Sequence, residues 1–297
     1  MRTRPTMLLA LTSLLLAPSA LTGCSTNAAT GKRQLNLLSR SQEISIGTNA
    51  MSQLTTGYGG EVPSAGAREY VNEVGMRLVD QIEPQYQDLP WEFTFLNTGT
   101  INAFALPGGK VFLTRGLAER MESESELAGV LGHEIGHVTA RHANEQITNR
   151  LLITGAAIGI TVAAGESDND LVSDGVPILV GASTGLFLLK FSRDDEHESD
   201  RLGMRYMTRA GYNPTGMIGV METLRDASGS QGSEIQQFLS THPLPSSRIE
   251  RAQNRIRIDY TDYLDARIGE SDYQRRMLTP LSKIPPPPEP EPAPSEG

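Results

Sequence analysis

LGHEIGHVTARH, residues 131–142, places two histidines and a glutamate within five positions. On a helix His133 and His137 lie one turn apart, about 40° round the axis, so both imidazoles can grip one cation. Glu134 sits beside that line, placed to reach a water next to the cation rather than the cation itself. The flanking Leu127, Val130, Leu131, Ile135 and Val138 are apolar, which predicts a buried helix. Buried His and Glu need partners, and a metal provides them. A helix that carries His and Glu by chance is the competing reading, and this stretch alone does not remove it.

The spacing is the H-E-x-x-H arrangement of zinc peptidases. A tetrahedral catalytic zinc needs a third protein ligand and an open position for water. A metzincin is excluded, because Ala140 and Ala143 stand where Gly and His are required. His142, five residues past His137, falls about 140° away on a continuous helix. It is expected to be a structural or surface histidine outside the site. The best source of a third ligand is SRDDEHESD, residues 192–200, where Glu196 and Asp200 are four apart and share a helix face.

HEIGH followed by S-R-x-x-E-x-x-x-D resembles the HtpX-like and CAAX-prenyl-protease family of gluzincin zinc metallopeptidases, and within it the periplasmic lipoprotein branch. TGKRQLNLLS, NAFALPGGKVFLTRGL and STHPLPSSRI occur in the family's order around those two motifs, over roughly residues 31–257. One departure is Ser199, where the family often has Ala. The resemblance implies an α+β, mostly α fold, a gluzincin-type metallopeptidase domain with a small β-sheet packed on the active-site helices. Carried over residue by residue, it implies that His133, His137 and Glu196 bind one Zn2+ per chain. Glu134 would be the general base, and Asp200 would hold a ligand histidine by its other ring N–H.

Two residues of THPLPSSR, His242 and Arg248, are the candidate donors to a developing oxyanion. In relatives the histidine of this motif can also occupy the open zinc position and hold the enzyme off, so both roles stay open for His242. Arg248 is expected in the first turn of a helix starting near Ser246. A cation there opposes the helix dipole by about 0.3–1 kcal/mol, so a carboxylate or the reacting carbonyl should compensate. Asn102-Ala103-Phe104-Ala105 resembles the gluzincin edge strand, where Asn102 and Ala103 are expected to bind an extended substrate as an added strand. His197 is expected to face solvent.

The N-terminus carries Arg2, Arg4 and an apolar run over 7–17, too short to span a bilayer and readable as a secretory leader. Leu21-Thr22-Gly23-Cys24 resembles a bacterial lipobox, which implies cleavage after Gly23 and lipidation of Cys24, the single cysteine of the chain. Ser25 rather than Asp after that cysteine leans toward the outer membrane, with the acyl chains as the membrane contact. A lone cysteine allows no internal disulfide. The formal charge of −9, made more acidic by loss of the leader, argues against nucleic acid as a partner.

These readings divide the chain into a lipoprotein signal peptide at 1–23, a lipidated tether at 24–39, a zinc metallopeptidase domain at 40–280 and a Pro-rich disordered tail at 281–297. Within the domain, helices are predicted at about 40–55, 65–82, 115–121, 124–148, 189–210, from Pro214 onward, and at 245–256. Short strands are predicted around Trp91, Phe93 and Phe95, at 104–106 and at 111–113, with Pro107-Gly108-Gly109 as the turn between the last two. Apolar segments at 151–164 and 176–189 are shorter than a membrane helix needs and are read as buried or groove-lining helices.

The function implied is a zinc endopeptidase, lipid-anchored at the periplasmic face of the outer membrane. Its substrates would be unfolded or misassembled envelope proteins, and the outer-membrane assembly machinery a possible partner. The competing class is a chaperone-like assembly factor whose metal site is structural or silenced. An intact Glu134 favours the enzyme, since a structural zinc has no use for it.

Overall fold

The computed structural model describes residues 24–163, 190–229, 235–243 and 246–287. It opens with an antiparallel hairpin, β1 (Cys24–Thr26) and β2 (Arg33–Leu35). Helix α1 (Arg40–Gly57) starts with a capping box in which the Ser39 side chain accepts from the Gln42 N–H and the Gln42 side chain accepts from the Ser39 N–H. Helix α2 (Ala65–Val79) buries Tyr70, Val71, Val74 and Leu78, the predicted stripe, and Ile82 beyond its end is buried too. A short helical turn, α3 (Pro84–Gln87), leads into the sheet.

The sheet has three strands, β3 (Glu92–Leu96), β4 (Ala103–Leu106) and β5 (Lys110–Thr114), in the order β3-β5-β4. Central β5 runs parallel to β3 and antiparallel to β4. Strand β4 is therefore an edge, with no strand on its other side among the described residues. The turn between β4 and β5 needs its glycines. Gly108 sits at φ 81°, a region L side chains avoid, and a Cβ there would meet the Ile44 Cα at 2.5 Å.

Helix α4 (Arg115–Ala118) precedes α5 (Glu124–Ala140), which carries the H-E-x-x-H motif and is buried along almost its whole length. Ser123 caps α5 by accepting from the Glu126 N–H. Around α5 pack the sheet, α2, α7 (Arg193–Arg209) and α8 (Thr215–Gly229), with α6 (His142–Ala163) leaving its C-terminal end. Helices α9 (Gln236–Thr241) and α10 (Ser246–Asp259) follow. Helical turns over 270–281 then lay Tyr273, Met277 and Leu281 into the core. The architecture is mostly helical α+β with a small sheet, as the resemblance implied.

One close approach positions the site. A Cβ on Gly203 would lie 2.8 Å from the His133 backbone N, and one on Gly136 would lie 2.9 Å from the Ser199 O. With hydrogen atoms in place of side chains, α5 and α7 cross almost backbone to backbone. The first turn of α7, with Glu196, is thereby laid over the two histidines.

Three expectations are corrected. The predicted helix over 124–148 is two helices, because Arg141 adopts φ 61° and ψ 32°. A left-handed non-glycine residue costs about 1–2 kcal/mol. Here it is held by Glu43, whose Oε2 accepts from Arg141 Nη2 at 2.7 Å, and by the Leu38 O, which accepts from the same nitrogen at 3.0 Å. The segment expected as a tether is a docked hairpin. Asn27 Nδ2 donates to the Thr139 O at 2.9 Å and Gln34 Nε2 to the Ala140 O at 2.8 Å. The last carbonyls of a helix lack intrahelical donors, and these two amides supply them.

The third correction is the tail, which begins later than residue 281. Leu281 is buried, and Arg115 donates from Nη2 to the Leu281 O at 3.2 Å and from Nη1 to the Pro285 O at 2.6 Å. The stretch 1–23 expected as a leader, the segment 176–189 and the Pro-rich end after 287 lie outside the described residues. In the first apolar segment Leu152 and Ile153 are exposed rather than buried. No helix of the described residues is long and apolar enough to cross a membrane.

Candidate metal centre

His133 and His137 project from α5 with their Nε2 atoms 3.1 Å apart. Glu196, in the first turn of α7, reaches both: Oε2 lies 3.5 Å from His133 Nε2 and Oε1 lies 3.4 Å from His137 Nε2. His242, at the C-terminal end of α9, brings Nδ1 to 2.9 Å from Glu196 Oε1. One ligand atom from each of these four buried residues lies within 4.8 Å of the other three.

The donor set fits a zinc ion. Asp200 Oδ1 is 2.9 Å from His133 Nδ1, which places a proton on Nδ1 and leaves a lone pair on Nε2. His137 Nδ1 has its own partner, His142 Nδ1 at 3.0 Å, and can likewise present Nε2. Two imidazole lone pairs facing each other repel unless a positive centre lies between them. Two His and one Glu are a known catalytic zinc set.

The charges favour the same assignment. Burial alone would raise Glu196, but His242 and Arg248 hold its carboxyl well below the usual carboxylate range. Burial pushes His137 well below the usual imidazole range, which keeps it neutral. Glu134 differs from Glu196: burial pushes its carboxyl up, against the pull of His242 and His133. Its Oε2 is buried with no hydrogen-bond partner among the described residues. A cavity of about 20 Å³ lies beside it, lined by Val130, His133, Met217, Phe238 and Arg248 among others, which is room for about one water.

Arg248 is gripped by two carboxylates. Its Nε and Nη2 donate to Asp200 Oδ2 and Oδ1 at 2.8 and 2.6 Å. Its Nη1 donates to Glu196 Oε2 at 2.6 Å and to the Pro243 O at 3.3 Å. Of the two compensators considered for a cation in that helical turn, the structure shows carboxylates, Asp200 and Glu196. Asp200 Oδ1 lies against His133 Nδ1.

Asn102 and Ala103 part company. The Asn102 N–H donates to Thr114 Oγ1 at 2.9 Å, and the Asn102 O accepts from Thr114 N at 3.1 Å. Its main chain is turned inward and cannot receive a substrate strand. Alternation along an antiparallel pair turns the main chain of Ala103 and Ala105 outward, to the free edge of β4.

The model of Peptidase family M48 matches residues 66–256. The chain belongs to this family. It is 32% identical over 257 residues to the beta-barrel assembly-enhancing protease of Shigella flexneri, covering 84% of this chain and 51% of that one. The protein of the same name from Yersinia pestis is 36% identical over 194 residues, 63% of this chain and 38% of that one. Mitochondrial metalloendopeptidase OMA1 of Schizosaccharomyces pombe is 32% identical over 224 residues, 75% of this chain and 63% of that one. The chain spans about half the length of the first of these relatives.

Several residues of this M48 domain escaped the sequence reading. His142 is buried and contacts His137 directly, because the break at Arg141 swings it back from the 140° a continuous helix imposes. Phe191 packs its ring, tilted by 35°, with its centre 4.0 Å from that of His137. His197 is half-buried at the rim of a cavity with Arg251 rather than free in solvent. No local signal marks the break: neither Gly nor Pro occurs between 137 and 148.

Proposed function

We propose that this chain is a zinc-dependent endopeptidase, and one observation carries the reading. His133, His137 and Glu196, from two helices far apart in sequence, converge on one point beside a buried carboxylate, Glu134, whose Oε2 has no hydrogen-bond partner among the described residues. Zinc, when bound, supplies a Lewis acid and a water acidified to about pKa 7. Glu134 takes the proton of the attacking water and delivers it to the leaving amine, a role worth about 10²–10⁴-fold. The free edge of β4 aligns the substrate by main-chain hydrogen bonds through Ala103, which requires an extended or unfolded chain. Arg248 and Asp200 act through the ligands, holding Glu196 and His133 in place.

His242 occupies the fourth corner of the ligand group, where a catalytic zinc keeps an open position. We take it as a gate that must swing out before substrate enters. The same placement favours one second reading, a chaperone-like assembly factor in which His242 never leaves and the site is silent.

The lipobox at Cys24 supports anchoring by lipid at the periplasmic face of the outer membrane. The names of the bacterial relatives support misassembled envelope proteins as substrates and the outer-membrane assembly machinery as partner. The test is casein cleavage by purified protein together with its zinc content. Glu134→Gln should keep about one zinc and lose about 10²–10⁴-fold in rate, while His242→Ala should cleave faster than wild type. Equal cleavage by Glu134→Gln and wild type removes the proposed base. Zinc bound but no cleavage by wild type or His242→Ala leaves the assembly reading.

A further inference from the structure

We infer that His142 is a positioning residue for the ligand His137, and that the N-terminal hairpin holds it in place through Glu198 and Lys32. The inference rests on the reading of His133, His137 and Glu196 as zinc ligands.

A metal-bound histidine normally donates its other ring N–H to a carboxylate, carbonyl or water, which fixes its tautomer and orientation. Asp200 does this for His133. At His137 the position is filled by an imidazole, with the two Nδ1 atoms 3.0 Å apart and the rings edge-on at 73°. Only one proton fits between two such nitrogens. His137 must keep Nε2 free for the metal, so its Nδ1 donates and His142 Nδ1 accepts. The ring proton of His142 then resides on Nε2.

That Nε2 is directed toward acid. It has no hydrogen-bond partner among the described residues, and the nearest acids are Glu198 Oε2 at 3.5 Å and Asp195 Oδ1 at 3.7 Å. Glu198 is in turn held by Lys32 Nζ, 3.0 Å from its Oε1. Ser199 Oγ lies 3.4 Å from His142 Nδ1 and adds a second, long contact to the same nitrogen. Lys32 belongs to the loop between β1 and β2, and the hairpin is pinned by Asn27 and Gln34 to the end of the helix that bears both histidines. A continuous line of contacts thus runs from the hairpin through Lys32, Glu198 and His142 to His137. A buried histidine kept only for packing would not end on the far nitrogen of a metal ligand.

The test is the zinc dissociation constant of the full chain, measured by competition with a chromogenic chelator, with melting of the zinc-free protein recorded in parallel. His142→Phe keeps an aromatic ring but removes the acceptor, and should weaken zinc by about 10–100-fold. His142→Asn, which restores an acceptor, should recover part of that loss. Lys32→Met, at a side chain 60% exposed, should weaken zinc by about 1.5- to 5-fold, an effect that shrinks at high salt. Wild-type affinity in a folded His142→Phe variant overturns the positioning role. Should that variant fail to fold, Lys32→Met decides: unchanged affinity at low salt overturns the link to the hairpin. A wild type that binds no zinc would instead defeat the metal-site reading itself, so the two failures are told apart.

Discussion

The two histidines of the proposed zinc site sit one turn apart on α5, yet they are braced in opposite ways. Behind His133 stands a charged wall: Asp200 on the ring nitrogen, then Arg248 gripping Asp200 with two donors and Glu196 with a third. Behind His137 stands a softer line, the imidazole of His142 near Glu198 and a lysine largely in water. The first brace is sealed inside the α5–α7–α10 crossing. The second leaves it and reaches the first described segment of the chain. The difference teaches that one metal site can have a rigid side set by buried charge and a side open to adjustment from the surface.

That contrast can be broken first at Arg248. Arg248→Met strips two buried carboxylates of their shared cation and should destabilise the zinc-free protein by about 3–5 kcal/mol in urea unfolding. A loss under about 1 kcal/mol would mean that the wall is not sealed from water. Next comes Asp200→Asn, which keeps the shape but not the charge behind His133. It should weaken zinc by about 10–100-fold, or about 1.4–2.7 kcal/mol, in chelator competition. Its loss should exceed that of His142→Phe, and the reverse order would invert the comparison. The smallest effect is expected at Lys32, where Lys32→Met should cost no more than about 1 kcal/mol of stability in thermal melts. A larger loss would make the hairpin a structural keystone rather than an adjustable brace.

Much of the site was readable because its chemistry is written in short intervals. The four-residue spacings of His133 with His137 and of Glu196 with Asp200 each describe one helical face, and both pairs appear where expected. The stripe of α2 and the Pro107-Gly108-Gly109 turn were equally local. Arg248 was half legible: a cation at a helix start demanded a compensator, but nothing in STHPLPSSRI says whether that compensator is substrate or protein. His142 was misplaced because helical geometry assumes a continuous helix, and Arg141 breaks it through Glu43, a partner in another helix. The hairpin read as a tether because small polar residues bury little. Its order comes from amides meeting carbonyls at the end of α5, as Asn27 does with Thr139 across 112 residues of chain.

By itself the sequence determined the helical and strand periods, the motif helix and the shared faces of His133 with His137 and of Glu196 with Asp200, because these depend on neighbours within a turn or two. Only the tertiary structure decided that His242 stands at the fourth corner, that Arg248 turns to the carboxylates, and that His142 and the hairpin brace His137. Those outcomes depend on which distant donor satisfies which buried acceptor. That question has no local solution, since every candidate carboxylate and carbonyl looks alike until the backbones are packed.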